Sequence, residues 1–261
     1  MLKHKKSLGQ NFLIDKNILN KIVKKIPINN KNIIEIGAGT GNLSEFILAQ
    51  KPKSLLLIEK DKHLFKILFD KFKANLKVKI LNTDILDLDF DDIIPEDSLI
   101  FGNLPYNVST KILIKSIKLK NWPPKYNGLV FMFQKEVAER LCAEKNSSAY
   151  GRLSIISSFR LKIIDFFNIS KNCFFPKPKI DSTVIFFKPY HNSYNDLLNF
   201  KKLEDLTRLF FSNKRKMINK PLRLSFNNDL EIAKKFKLDL KMRPSEIDKE
   251  IYFKLAKINQ K

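Results

Sequence analysis

Asn32-Ile-Ile-Glu-Ile36 runs directly into Gly37-Ala-Gly39-Thr-Gly41 and then into Asn42-Leu-Ser-Glu-Phe-Ile-Leu-Ala49. The isoleucine-rich run reads as a β-strand, the three glycines as a tight turn, and the apolar spacing after them as a helix. The same alternation continues outward from this unit. Ser54–Glu59, Val78–Leu81 leading to Asn82-Thr-Asp84, Ser98–Phe101 and Gly128–Phe133 are further short β-type runs, with helical patterns over Lys62–Phe72, Thr110–Ile117 and Glu136–Glu144 between them. Ser109 is placed to cap the second of these helices, and a further helix starts near Asp15. Ser154–Phe159, Lys162–Phe167 and Thr183–Phe187 read as strands that finish the sheet. The expected class is α/β, a mainly parallel sheet flanked by helices. Pro189-Tyr-His-Asn-Ser-Tyr-Asn-Asp196 is polar and turn-rich and marks a boundary. It divides the chain into residues 1–188 and a small helical domain, 189–261.

The spacing of the glycine turn restricts its ligand. A dinucleotide fingerprint requires its third glycine where Asn42 stands, and no Gly-Lys-Ser/Thr closes the turn as in a P-loop. A cofactor with an amino-acid end and an adenosine end, but no pyrophosphate, fits better. Glu59 ends the next strand, where a carboxylate can accept from both ribose hydroxyls. Asp84 ends the one after, where it can accept from an adenine amine. Singly, either acid also reads as a helix cap or a solvated strand end. Together with the turn they point at one crevice, the switch point of an open α/β sheet.

Composition sets the outer limits. The chain has 261 residues, is 44% hydrophobic and carries a formal charge of +22. No apolar run approaches the roughly 18 residues of a membrane span, and the basic start lacks an apolar signal core, so a cytoplasmic protein is expected. Cys142 and Cys173 lie far apart, and His4, His63 and His191 are scattered, which argues against a metal or disulfide framework. The positive charge favours a polyanionic partner, with nucleic acid foremost. Lysine supplies most of it, so solvated helix faces account for a share.

Asn103-Leu104-Pro105-Tyr106 closes the strand Ser98–Gly102. As an isolated tetrapeptide it is an ordinary turn, yet an amide, a stiffened backbone and an aromatic ring at this spacing can also seize a flat base bearing an exocyclic amine. Five further segments accompany it: Ser7-Leu-Gly-Gln-Asn11-Phe-Leu13, Glu35-Ile-Gly-Ala-Gly-Thr-Gly41, Gln134-Lys-Glu-Val-Ala-Glu-Arg-Leu141, Ala149-Tyr-Gly-Arg-Leu-Ser154 and Phe174-Phe-Pro-Lys-Pro-Lys-Ile-Asp-Ser182. In this order the set resembles the S-adenosylmethionine-dependent ribosomal RNA adenine N6-dimethyltransferases, in particular the bacterial members acting on 16S rRNA.

The resemblance implies a Rossmann-like methyltransferase sheet, S-adenosyl-L-methionine as cofactor, and adenosine N6 dimethylation within an immature small ribosomal subunit. A monomer without metal or membrane attachment is expected. Asn11 and Leu13 would cover the cofactor from an N-terminal arm, with Gly37 and Gly39 beside its methionine end, Glu59 at the ribose and Asp84 at the adenine. Asn103 would stand between cofactor and base. An adenine N6 amine is a weak nucleophile because its lone pair is delocalised into the ring. Acceptors at the Asn103 side chain and the Leu104 carbonyl would localise that pair, while Tyr106 stacks on the extruded base. Phe174 is the assigned second aromatic contact, with Phe175 beside it as the alternative.

From residue 188 onward basic residues outnumber acidic ones two to one, and Lys214-Arg-Lys216 beside Phe210 and Phe211 reads as an RNA contact or a solvated helix face. Three rivals share parts of this pattern: a 23S rRNA adenine methyltransferase of the antibiotic-resistance type, a DNA adenine methyltransferase, and a non-catalytic RNA-binding assembly or transcription factor. Ala149–Ser154 and the basic C-terminal helix argue against the first, and Leu104 in place of proline against the second. Intact Glu59, Asp84, Asn103 and Tyr106 argue against the third.

Overall fold

The computed structural model describes residues 11–190 and 197–258. Ser7–Gln10 of the arm motif, His4, and the stretch 191–196 of the boundary segment lie outside the described residues.

The chain opens with a two-residue strand, β1 (Phe12–Leu13), and helix α1 (Lys16–Lys24). Asp15 starts that helix, its carboxylate accepting from the N–H groups of Asn17 and Ile18 at 2.9 and 3.0 Å, which satisfies two donors a helix start leaves over. The quoted unit follows as β2 (Asn32–Ile36) and α2 (Asn42–Ala49). Next come β3 (Ser54–Glu59), α3 (Lys62–Phe72), β4 (Val78–Asn82), the single turn α4 (Phe90–Ile93), β5 (Ser98–Gly102), α5 (Tyr106–Ile117), β6 (Tyr126–Gln134) and α6 (Lys135–Cys142). After α7 (Arg152–Ser158), the strands β7 (Leu161–Ile169), β8 (Phe174–Phe175) and β9 (Ser182–Pro189) precede the helices α8 (Leu197–Phe210), α9 (Asn219–Ser225), α10 (Asp229–Lys235) and α11 (Lys249–Ala256).

Seven strands form one sheet in the order β4-β3-β2-β5-β6-β9-β7. From β4 to β6 every pairing is parallel, and β9 returns antiparallel to β6. Successive β-α units fill one side of β2 outward to β4, and β5 then starts on its other side. The carboxyl ends of β2 and β5 therefore flank the point where strand order reverses, which is where open α/β sheets leave a crevice. Leu19, Ile22 and Val23 of α1 and Leu43 and Ile47 of α2 share one core with Leu55, Leu57, Leu99 and Phe101 of the sheet.

Two compact units emerge. One comprises residues 1–119, 123–138 and 163–189, and the other 120–122, 139–162 and 190–261. A single cut near 188 leaves segment 139–162 with the sheet, whereas its side chains belong to the helical unit. Phe159 meets the rings of Phe200 and Phe253 at centroid distances of 5.9 and 5.1 Å, and the Tyr150 hydroxyl donates to the Ile247 carbonyl.

Two local expectations are corrected. Ser154–Phe159 is not a strand, because residues 152–158 form α7. Its two adjacent isoleucines favour extended backbone, but Leu153, Ile156 and Phe159 recur every third residue, and the Ser157 and Ser158 hydroxyls bond back to the carbonyls of Leu153 and Ile155 within the helix. Ser109 does not cap α5. Pro105, with φ fixed at −55°, starts that helix one turn earlier, and Ser109 lies buried inside it with its hydroxyl on the Tyr106 carbonyl.

Gly41 shows how tightly the turn is packed. It sits at φ +78°, and a Cβ there would lie 2.7 Å from a ring carbon of Phe72 and 3.0 Å from Leu68, both buried on α3. Gly41→Ala is expected to cost roughly 1–3 kcal/mol, read as a lowered denaturant midpoint at unchanged slope.

Candidate active site

The carboxyl ends of β2, β3, β4 and β5 open onto a cavity of about 200 Å³. Asn11, Leu13, Gly37, Gly39, Glu59, Asp84, Asn103, Leu104 and Tyr106 all line it, so nearly every residue singled out from sequence converges on one space.

The three glycine N–H groups of the turn are already committed. The Gly37 N–H donates to the Ile58 carbonyl at 2.8 Å and the Gly41 N–H to the Ala38 carbonyl at 2.9 Å. The Gly39 N–H donates to Oε2 of Glu59 at 2.9 Å. A turn whose amides are used internally, against a carboxylate, is unsuited to cradling a pyrophosphate. It suits a cofactor without one. Glu59 also accepts the Asp61 N–H on Oε1 at 2.9 Å, and each carboxylate oxygen retains a lone pair for a hydroxyl donor. Burial pushes Glu59 above its ordinary value, against the hydrogen bonds from Asp61 and Gly39.

Glu35, fully buried in β2 beneath the turn, accepts the Ser44 hydroxyl at 2.6 Å. Burial pushes its carboxyl up to about 8; the Ser44 bond opposes the rise and the neighbouring Glu59 adds to it. Glu35 is therefore predominantly a neutral acid at pH 7, a support to the floor rather than a second charge.

Asp84 follows β4 by two residues. Burial alone would raise its carboxyl, but the ammonium of Lys60 at 2.7 Å and the Leu86 N–H at 2.9 Å outweigh that, and it is held below its ordinary value. Lys60 also lines the cavity, a neighbour the sequence pattern did not signal because the ion pair forms between adjacent strand ends.

Asn103 and Tyr106 are each held from a distant part of the chain. The Asn103 amide nitrogen donates to the Asn11 carbonyl at 3.4 Å, which ties it to the arm and leaves the oxygen end as the acceptor. Tyr106 shares a 2.7 Å hydrogen bond with Ser182. Burial pushes the Tyr106 hydroxyl above its ordinary value, against that bond, and Asp181 adds to the rise, so the phenol stays neutral. Ser182 belongs to a motif quoted above, but nothing in the sequence gave it a role.

The arm is strapped in place. β1 pairs antiparallel with β8, Phe12 opposite Phe175 and Leu13 opposite Phe174, and the Asn42 side chain donates to the Leu13 carbonyl at 2.9 Å. Phe12 covers Gly39 so closely that a Cβ there would lie 2.9 Å from its ring. This pairing decides the two phenylalanines: Phe174 is buried in the core with Leu13 and is not among the cavity-lining residues, whereas Phe175 is 58% exposed. The structure thus brings Tyr106, but not Phe174, to the cavity wall.

In the helical unit, Phe210 and Phe211 pack on Tyr252, and Lys214 donates to the Ser148 carbonyl at 2.6 Å. Of the rings beside Lys214-Arg-Lys216, Phe210 is core and Phe211 half-buried, while Arg215 and Lys216 remain exposed. Among the described residues no cluster of three or more His, Cys, Asp or Glu is placed to hold a metal, and no helix is long and apolar enough to cross a membrane.

With this geometry established, comparison with known proteins is decisive. The family model described as ribosomal RNA adenine dimethylase matches residues 1–261. The chain belongs to that family. Ribosomal RNA small subunit methyltransferase A of Pelagibacter ubique is 47% identical over 259 residues, covering 98% of this chain and 97% of that protein. The protein of the same name from Malacoplasma penetrans is 36% identical, covering 96% and 90%. A dimethyladenosine transferase from Plasmodium falciparum superposes with a TM-score of 0.79 at 24% identity, over 94% of this chain and 95% of that one, and shares the fold. The 23S rRNA methyltransferase ErmE superposes with a TM-score of 0.69 at 20% identity, over 94% and 98%, and likewise shares the fold alone. The dimethylase family consists of S-adenosylmethionine-dependent enzymes, and the chain is an enzyme of that class.

Glu35 yields a pH test within this dimethylase fold. Between the ordinary value of 4.5 and about 8 the folded chain retains a proton that the unfolded chain has released, so stability falls as pH rises through that window. Glu35→Gln removes this linkage. Its unfolding free energy relative to wild type should therefore climb with pH, by up to about 1.4 kcal/mol per unit, and level off above the window. Parallel denaturation curves for the two proteins across the window would contradict the assignment.

Proposed function

We propose that the protein transfers methyl groups from S-adenosyl-L-methionine to the N6 amines of adenosines in 16S rRNA, two adjacent ones each dimethylated, within an immature small subunit in the cytoplasm. The observation that carries this reading is the meeting of Glu59, Asp84, Asn103 and Tyr106 on one cavity whose turn has all three glycine amides bonded internally. The names of the relatives supply the subunit.

Glu59 would hold the ribose hydroxyls on its remaining lone pairs and Asp84 the adenine amine, with Gly37 and Gly39 against the methionine end and Asn11 and Leu13 covering it. When bound, the cofactor supplies an electrophilic methyl group on a sulfonium centre. The residues of this chain prepare the nucleophile. The Asn103 oxygen and the Leu104 carbonyl accept the amine hydrogens, which draws the lone pair out of conjugation and onto N6. Tyr106 offers its ring face to a base taken out of its stack, and Pro105 stiffens the turn carrying both. An amide is too weak a base to take the proton, so Asn103 positions the amine and the proton passes to water. Phe174, buried under the arm, supports the wall behind the base. The exposed Arg215 and Lys216 supply sequence-independent attraction to the RNA backbone, and the protein acts as a monomer.

Small-subunit particles lacking the modification, labelled methyl donor and wild-type protein should yield N6,N6-dimethyladenosine in 16S rRNA. Asn103→Ala should lower that transfer by about a hundredfold or more. Label in large-subunit RNA or in DNA would overturn the target, and tight particle binding without transfer would favour the assembly-factor reading. Asp84→Ala should weaken S-adenosylmethionine binding about tenfold by calorimetry while melting near the wild-type temperature.

A further inference from the structure

Ser182 is wholly buried, and nothing in the chemistry above uses it. Its backbone is immobilised. It begins β9 opposite Gln134 of β6, the preceding Asp181 carbonyl accepts the Lys135 N–H at 3.1 Å, and the Asp181 carboxylate accepts the Lys171 N–H at 2.9 Å. The hydroxyl bonded to Tyr106 at 2.7 Å is therefore a fixed point. The other end of the tyrosine is fixed as well, because Tyr106 is the first residue of α5 and follows a proline. A phenol held at both Cα and oxygen has lost the freedom to swing about its Cα–Cβ bond, so the long axis of the ring is fixed.

The orientation of that ring matters. Stacking on a base depends on the angle and offset of the two planes, and holding reactants in near-attack geometry accounts for much of the gain in a group transfer. We propose that Ser182 is a positioning residue that fixes the long axis of the Tyr106 ring and so sets where the target adenine is presented to the Asn103 acceptor. The proposal rests on the reading of Tyr106 as the base contact. Ser182 touches neither substrate nor cofactor and acts only through the tyrosine.

The chain order makes this placement useful. Ser182 closes the segment Phe174–Ser182, whose first residues pair with the arm over the cofactor cavity. One segment therefore holds both the arm, which contacts Asn103 through the Asn11 carbonyl, and the hydroxyl of Tyr106. The two side chains that grip the base are registered against a common element.

The test is a double-mutant cycle on methyl transfer to unmodified small-subunit particles. Ser182→Ala and Tyr106→Phe should each lower kcat/KM about tenfold through kcat, and the double variant should be no slower than the slower single, because all three lack the same bond. Calorimetric affinity for S-adenosylmethionine should stay within about twofold of wild type, since the bond lies outside the cofactor contacts. Ser182→Thr, which keeps the hydroxyl, should restore transfer. Wild-type rates in Ser182→Ala, or losses that multiply in the double variant, would overturn the proposal. If Ser182→Ala fails to fold, Tyr106→Phe alone decides, because it keeps Ser182 and the ring but deletes the bond. A Tyr106→Ala variant separates the two levels: if it also transfers normally, the base-contact reading of Tyr106 fails. If it is inactive while Tyr106→Phe and Ser182→Ala are normal, only the positioning role fails.

Discussion

The carboxylate of Glu59 holds the site together. One oxygen accepts the Gly39 N–H from the turn after β2, and the other accepts the Asp61 N–H at the start of α3. A buried carboxylate of this kind is costly unless its lone pairs are used, and two backbone donors use them. In return, the turn after β2 is tied to the end of β3, and its three glycine amides are all bonded within the fold. The character of the cavity's edge follows from this one contact: acceptor-rich beside Glu59, with the Gly39 amide already used.

The parallel register then determines what else stands beside Glu59. Ile36 lies opposite Ile58 on one side and Gly102 on the other, and Glu59 opposite Asn82. Strands that end level deliver their following residues to the same rim. Asp84 and Asn103, far apart in the chain, come to line the same cavity because backbone hydrogen bonds hold the strand ends level. Glu35 pairs with Leu57, two residues before Glu59, and burial keeps it predominantly neutral there.

The groups on this rim are held in two ways. Glu59 and Asp84 are fixed by bonds to adjacent backbone, whereas Asn103 and Tyr106 are fixed by the arm and by the start of β9. The small β1–β8 ribbon is the common anchor, with Phe12 laid over Gly39 and Leu13 packed with Phe174. The arm over the cavity and the anchors of Asn103 and Tyr106 are therefore built from one piece of structure.

The sequence by itself determined the strand, turn and helix units, the acidic strand ends, the Asn103–Tyr106 motif and the helix start at Asp15. These are written in local signals: side-chain periodicity, turn chemistry and capping residues act over a few positions. Only the tertiary structure decided which of two adjacent phenylalanines faces inward. Neighbours on a strand point to opposite faces, and the inner one is Phe174 because it pairs with Leu13 over the core. Likewise, residues 152–158 carry isoleucines suited to a strand and a spacing suited to a helix, and packing of Phe159 on Phe200 and Phe253 favours the helix. The partner of Tyr106 was legible in neither pattern. A hydrogen bond between residues 76 positions apart has no periodicity, and it exists only once β9 has docked against β6.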